Sequence, residues 1–268
     1  MIRYVYPRFA KRDFAFFRVG GPGLANCLFI AAKAYLLARQ LGLPMLRPTW
    51  ERLGLGQFLR RERDKRFYCG LFRSESWWQK FRRLWVTRFN AKALKVVAWD
   101  RTYFHGLWEE AESVRQWVLG EILPEAIRAV PAEMKSSVAV HVRLGDFPAE
   151  YRTPIGWYRA MMEQVMSRRG GREVDFQIFS DGSDEELAPL LALKGARRVF
   201  YGNAIADMVA ISRCGLLIGS DSTFSTWGAF LGQVPAVFAH LLDCPPHQDP
   251  SMYAVLPEDG RIPEGWWR

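Results

Sequence analysis

Val138-Ala-Val-His141-Val-Arg143-Leu-Gly-Asp146 is the stretch on which the reading of this chain turns. Its apolar run reads as a strand buried on both faces, the pattern of a parallel sheet. In open α/β sheets, ligands gather outside the carboxyl ends of such strands. This run ends in His141, Arg143 and Asp146, so a rigid element delivers an arginine to the place where a ligand sits. A guanidinium is always charged, and its flat fork matches phosphate oxygens. From these residues alone two readings stand. Arg143 binds an anion, or it pairs with Asp146 or braces a turn.

A second segment tilts the balance. Residues 215–231 read as an apolar strand ending at Gly219, a hydroxyl-rich turn and an amphipathic helix. Ser220, Ser222, Thr223 and Ser225, with Phe224 among them, are therefore candidate ligand-binding residues at a helix N-terminus, their hydroxyls able to donate to phosphate oxygens. Unpaired amides and the helix dipole attract anions there. Capping by Ser222 or Thr223 is the plainer reading, but capping needs only one such residue. Phe179-Ser-Asp181-Gly182 ends another strand, where Asp181 either accepts from a ribose or base or forms an Asx-turn or cap.

Outward from these motifs, strands are expected at 137–143, 175–180, 197–201, 215–219 and 235–239. Helices are expected at 156–168, 184–193, 204–213 and 223–231. This alternation indicates a parallel α/β sheet. Near the N-terminus, a strand over 13–19, a turn at Gly20-Gly21-Pro22-Gly23, a helix over 25–41 and a strand over 45–50 suggest a βαβ unit. A short strand at 96–99 and a helix over 109–129, interrupted near Pro124, follow; residues 53–95 are hard to assign, being basic, aromatic and helical in part. Two α/β domains are expected, 1–130 and 131–268, facing each other across a cleft.

Composition narrows the class. The chain has 268 residues, 49% hydrophobic and 14% aromatic, which excludes a disordered protein. Its four cysteines form no C-x-x-C pair, so neither a zinc site nor a redox dithiol is indicated, and a reducing cytoplasm fits. Cys27 and Cys214 lie in apolar helical patterns and read as core. No signal peptide or bilayer-spanning run is visible. The net charge is +9, and residues 59–88 hold ten Lys and Arg against three Asp and Glu, interleaved with Trp77, Trp78, Phe81 and Trp85. Such a segment is a solvated basic face, an anionic membrane surface or a nucleic-acid site.

The motifs together resemble glycosyltransferase family 11, the bacterial α-1,2-fucosyltransferases. That family's His-x-Arg-Arg-x-Asp stands here as His141-Val-Arg143-Leu144-Gly-Asp146. Its Ser-Asn-Ser-Ser-Phe-Ser-Trp-Trp-Gly-Ala stretch stands as Ser220-Asp-Ser222-Thr223-Phe224-Ser225-Thr226-Trp227-Gly-Ala229, and its Phe-Ser-Asp-Asp as Phe179-Ser-Asp181-Gly182. Its Gly-Gly-Leu-Gly-Asn-Gln-Leu-Phe aligns with Pro22-Gly-Leu-Ala-Asn26-Cys27-Leu-Phe29. The chain departs from the pattern at Leu144, where the family keeps a second arginine, and at Cys27 and Thr226.

The resemblance implies a GT-B fold, with GDP-fucose held by the C-terminal domain. It also implies inversion at the anomeric carbon, no metal and no cofactor; the chain contains no Asp-x-Asp motif. Arg143 and the 220–225 turn then neutralise the leaving diphosphate. Asp146, His141 and Glu150 are candidates for the base, against buttressing of Arg143 by Asp146 and pinning of the turn by His141. Asn26 holds sugar hydroxyls or caps its helix. The expected acceptor is an oligosaccharide or lipid-linked glycan of the cell surface, met in the cytoplasm or on the inner membrane face, with no nucleic acid as partner. The alternatives are another nucleotide sugar on the same fold, or a non-catalytic nucleotide- or nucleic-acid-binding protein.

Overall fold

The structure is a computed structural model and describes residues 1–54, 66–145, 148–170, 172–241 and 244–266. It divides into two compact units, Met1–Ile127 and Arg128–Arg268.

The first unit contains β1 (Tyr4–Pro7), β2 (Arg12–Asp13), β3 (Arg18–Val19), α1 (Leu24–Leu41), β4 (Arg52–Leu53), α2 (Trp77–Phe89), β5 (Leu94–Val97) and α3 (Ala111–Glu121). β1 runs parallel to β5 and, through Val5, to Met45. The βαβ unit is therefore β1, α1 and the Met45 bridge at the start of the expected 45–50 run, with β1 in place of the expected strand at 13–19. The 13–19 run breaks because Asp13 Oδ1 accepts from the Ala15 amide at 2.8 Å and Ala15 takes a left-handed φ of 66°. This Asx-turn folds the run into the antiparallel β2–β3 hairpin. α1 forms from Ala- and Leu-rich sequence and ends where Gly42 adopts φ 62°. α3 stops at Glu121, and Pro124–Ile127 form a separate 3-10 turn. α2 supplies the helix expected in part of 53–95. It starts at a capping box, Ser76 Oγ accepting from the Gln79 amide and Gln79 Oε1 from the Ser76 amide. The expectation for 59–88 falls partly on residues 59–65, which lie outside the described residues.

The second unit contains β6 (Met134–Val142), α4 (Ile155–Arg168), β7 (Asp175–Ser180), α5 (Asp184–Leu191), β8 (Ala196–Arg198), α6 (Ala204–Arg213), β9 (Cys214–Gly219), α7 (Thr223–Gly232), β10 (Ala236–Phe238) and β11 (Tyr253–Val255). All six strands are parallel, in the order β11-β10-β9-β6-β7-β8. The chain steps outward from β6 to β8, then returns to lay β9 on the other side of β6. The strand order thus reverses between β6 and β9, and ligands of doubly wound sheets bind outside the carboxyl ends of strands at such a point.

Register fixes what stands there. Val138, Val140 and Val142 are buried in the core with Trp157, Met161 and Ile178. Each buried valine contributes about 1.5–3 kcal/mol by leaving water. Their alternation turns His141 to the opposite face, and a one-residue slip would exchange the faces. In this register His141 is level with Gly219 on β9 and Phe179 on β7.

Candidate active site

At the reversal point His141 ties the ends of β6 and β9 to α7. Its carbonyl accepts from the Ser220 amide at 3.0 Å, extending the ladder one residue past β9. Its Nδ1 lies 2.6 Å from Ser225 Oγ and 3.0 Å from Ser220 Oγ, and its ring stacks on Phe224 at 5.0 Å. Gly219 permits this approach, since a Cβ there would come within 2.6 Å of the Phe238 ring and 3.3 Å of Ser225 Cβ. Burial pushes the imidazole down to about 4; the Asp181 carboxylate opposes that shift and Arg143 reinforces it. His141 is neutral at physiological pH and its Nδ1 is engaged, a geometry that suits the pin better than the base.

Beyond β6 the chain wraps around one carboxylate. Asp181, just past β7, accepts at Oδ1 from the Leu144 amide at 2.9 Å and the Gly145 amide at 3.0 Å. Its Oδ2 pairs with Arg143 Nη1. Gly145 is needed for the close approach, because a Cβ would sit 2.6 Å from Asp181 Oδ2. Arg143 therefore pairs with Asp181; Asp146, the partner weighed from sequence, lies outside the described residues. Asp181 thus braces the Arg143 turn through both carboxylate oxygens. A guanidinium carries five N–H donors, so this carboxylate orients the fork without exhausting it.

The remaining candidates divide by location. Ser222 caps α7, accepting from the Phe224 amide at 3.2 Å. Ser220 and Ser225 are buried against His141 and each other, so their hydroxyls build the turn, where a row of phosphate donors was expected. Thr223 opens α7 and is half-buried. Glu150 lies exposed on a short 3-10 turn, Ala149–Tyr151. Asn26 belongs to the first unit, in the first turn of α1. Gly23 takes the cap position, and Asn26 Oδ1 is buried with no hydrogen-bond partner among the described residues. Cys27 and Cys214 are buried, their thiols pushed up by burial to about 11 and about 12. Among the described residues, no group of three or more His, Cys, Asp or Glu side chains is placed to hold a metal ion.

Two arginines escaped the sequence reading. Arg198 ends β8 and donates to the Ser180 and Gly182 carbonyls at 3.2 and 2.7 Å while pairing with Asp184. Arg152 donates to the Gly145 carbonyl at 3.2 Å. The available signal was position: Arg198 ends a strand, as Ser180 does. Leu144, at the family's second arginine, is buried in the core, where it lies so close that a Cβ on Gly182 would be 2.5 Å from its Cδ1.

An arginine, a helix N-terminus and a strand-order reversal suit an anionic ligand at the edge of an α/β sheet, and the comparisons with known proteins identify the chain as a glycosyltransferase of GT-B fold. The family model of glycosyl transferase family 11 matches residues 70–240, more than half of the sequence, and the chain belongs to that family. No curated protein sequence matches it. Its fold is similar to that of NodZ alpha-1,6-fucosyltransferase soaked with GDP-fucose, at TM-score 0.51 and 14% identity, over 88% of this chain and 94% of that one. It is also similar to fucosyltransferase NodZ from Bradyrhizobium, at TM-score 0.52 and 14% identity, again over 88% and 94%. At these identities the likeness is one of fold. Among the described residues no helix is long and apolar enough to cross a membrane.

Proposed function

We propose that the protein transfers fucose from GDP-fucose to a hydroxyl of a cell-surface glycan, with inversion and without a metal, forming an α-1,2 linkage. The observation that carries this reading is the Arg143 turn, held by Asp181 beside the N-terminus of α7 at the strand-order reversal. Family membership and the GDP-fucose of the structural neighbour name the donor. In the reaction an acceptor oxygen forms a bond to the anomeric carbon as the bond to the GDP β-phosphate oxygen breaks. The acceptor proton leaves to solvent or to a carboxylate, for which Asp146 and Glu150 remain the candidates. Charge develops on the departing diphosphate, and Arg143 and the α7 amides stabilise it more strongly as it grows. His141 positions that turn.

The enzyme works in this reading in the cytoplasm, at the inner membrane face, on an oligosaccharide or lipid-linked acceptor. Thermal unfolding with GDP, UDP and CDP and their sugars tests the donor. A stabilisation of several degrees by GDP and GDP-fucose alone is expected. Stabilisation by a uridine nucleotide in their place would overturn the fucose assignment.

A further inference from the structure

We infer that the outer face of α2, with the tip of the β2–β3 hairpin, is the surface by which this protein docks on an anionic lipid bilayer. The inference names the element behind the membrane-face location proposed above and is independent of the donor sugar.

α2 is inverted relative to an ordinary surface helix. Its inner side is held by a buried arginine: Arg83 Nε pairs with Glu75 at 2.9 Å, and its other nitrogens donate to the Arg47 and Ala15 carbonyls and to Thr49. Val86 is the other buried residue of the helix. The opposite side carries Trp78, Phe81, Trp85 and Phe89, which are 84%, 50%, 57% and 78% exposed. At 100° per residue these four fall within one narrow stripe centred opposite Arg83. The hairpin continues the surface, since Phe16 touches Trp77 and Phe81, and Phe14 and Phe17 are exposed beside it.

So much exposed aromatic surface on a soluble face marks an interaction site. Charge selects the occupant. Arg82 and Arg88 flank the stripe on either side, Arg82 over the Tyr4 ring and Arg88 over the Phe14 ring. Lys92 and Lys95 are exposed just beyond, and residues 76–99 contain no Asp or Glu. Tryptophan and phenylalanine on one face with arginine at its edges is the pattern of a helix lying in a headgroup region. A second copy of the chain would bring like charges together. Single-stranded nucleic acid favours a basic groove, whereas this stripe is the convex side of a helix.

Co-sedimentation with vesicles of phosphatidylglycerol in phosphatidylcholine, and of phosphatidylcholine alone, tests the inference. The full chain is expected to bind only the anionic vesicles, and less as salt rises. Trp78→Ser with Trp85→Ser should weaken binding on the order of tenfold or more. Arg82→Glu with Arg88→Glu should weaken it by about fivefold per charge removed. Circular dichroism and the GDP-induced thermal shift, read on the same samples, should not change, because these side chains are exposed and remote in sequence from the Arg143 turn. Absence of binding by the wild-type chain at low salt overturns the inference, as does equal binding by the tryptophan variant. A dimer in light scattering that the tryptophan variant abolishes would assign the face to a second copy. An oligonucleotide that binds while vesicles do not would assign it to nucleic acid. Loss of the GDP shift in the wild-type chain would overturn the donor reading while leaving the membrane result to stand.

Discussion

Asp181 offers the sharpest separation between a structural and a ligand-binding carboxylate. Asp181→Ala removes the acceptor of the Leu144 and Gly145 amides at 2.9 and 3.0 Å and the partner of Arg143. Hydrogen bonds to an ionised group contribute about 1.5–3 kcal/mol each when dry. The Asp181 side chain is 20% exposed, so about 1 kcal/mol for each of the three interactions is the fitting scale, about 3 kcal/mol together. In a chain of this size that lowers the melting temperature by about 6–12 °C. Asp181→Asn keeps a carbonyl oxygen for the two amides and loses only the partly exposed ion pair, a cost of about 1 kcal/mol. Calorimetric melts of both variants, paired with GDP titrations, are the assay. The account predicts graded destabilisation, alanine far beyond asparagine, with nucleotide affinity falling as the turn loosens. If both variants melt like the wild type yet lose GDP affinity equally, Asp181 contacts the nucleotide directly and the bracing argument fails.

Two further outcomes follow from the same geometry. Burial keeps His141 neutral down to about pH 4, whereas the unfolded chain takes up that proton near 6.5. Between those values the unfolded state binds more protons, so stability falls as pH drops from 6.5 towards 4, by up to about 3 kcal/mol. Denaturant melts across this window should show the slope, and His141→Gln should flatten it; an unchanged slope would place the titration elsewhere. Gly145→Ala sets a Cβ against the Asp181 carboxylate at 2.6 Å and should cost about 1–3 kcal/mol while raising KM for the donor. A melt and a KM both at wild-type values would show that the turn accommodates a side chain.

Much of the second unit was readable because its strands are buried on both faces and announce themselves as continuous apolar runs. β6, β7 and β9 fall within a few residues of expectation. The three-residue β11 carries too little pattern to stand out. In the first unit the apolar residues 14–17 mimic a strand, but Asp13 bends them into a hairpin tip with Phe14 and Phe17 exposed. A helix was expected within 53–95, but its bounds were not legible, because its aromatic side faces outward and an amphipathic helix is recognised by an apolar side turned inward. At the site, the sequence located His141, Arg143, Asp181 and the 220–225 turn. Their pairing was not legible, since which carboxylate meets Arg143 depends on the alignment of β6 with β7. For the same reason the contacts of Ser220 and Ser225 with His141 were not legible.

The central claim is that Arg143, presented by this turn, stabilises the leaving diphosphate of a nucleotide sugar. Steady-state release of GDP from GDP-fucose in the presence of a glycan acceptor, comparing wild type with Arg143→Ala, tests it most directly. The account predicts a fall in kcat on the order of 100-fold or more, comparable to the loss of one preorganised donor to a developing anion. A variant that turns over GDP-fucose at the wild-type kcat would contradict it.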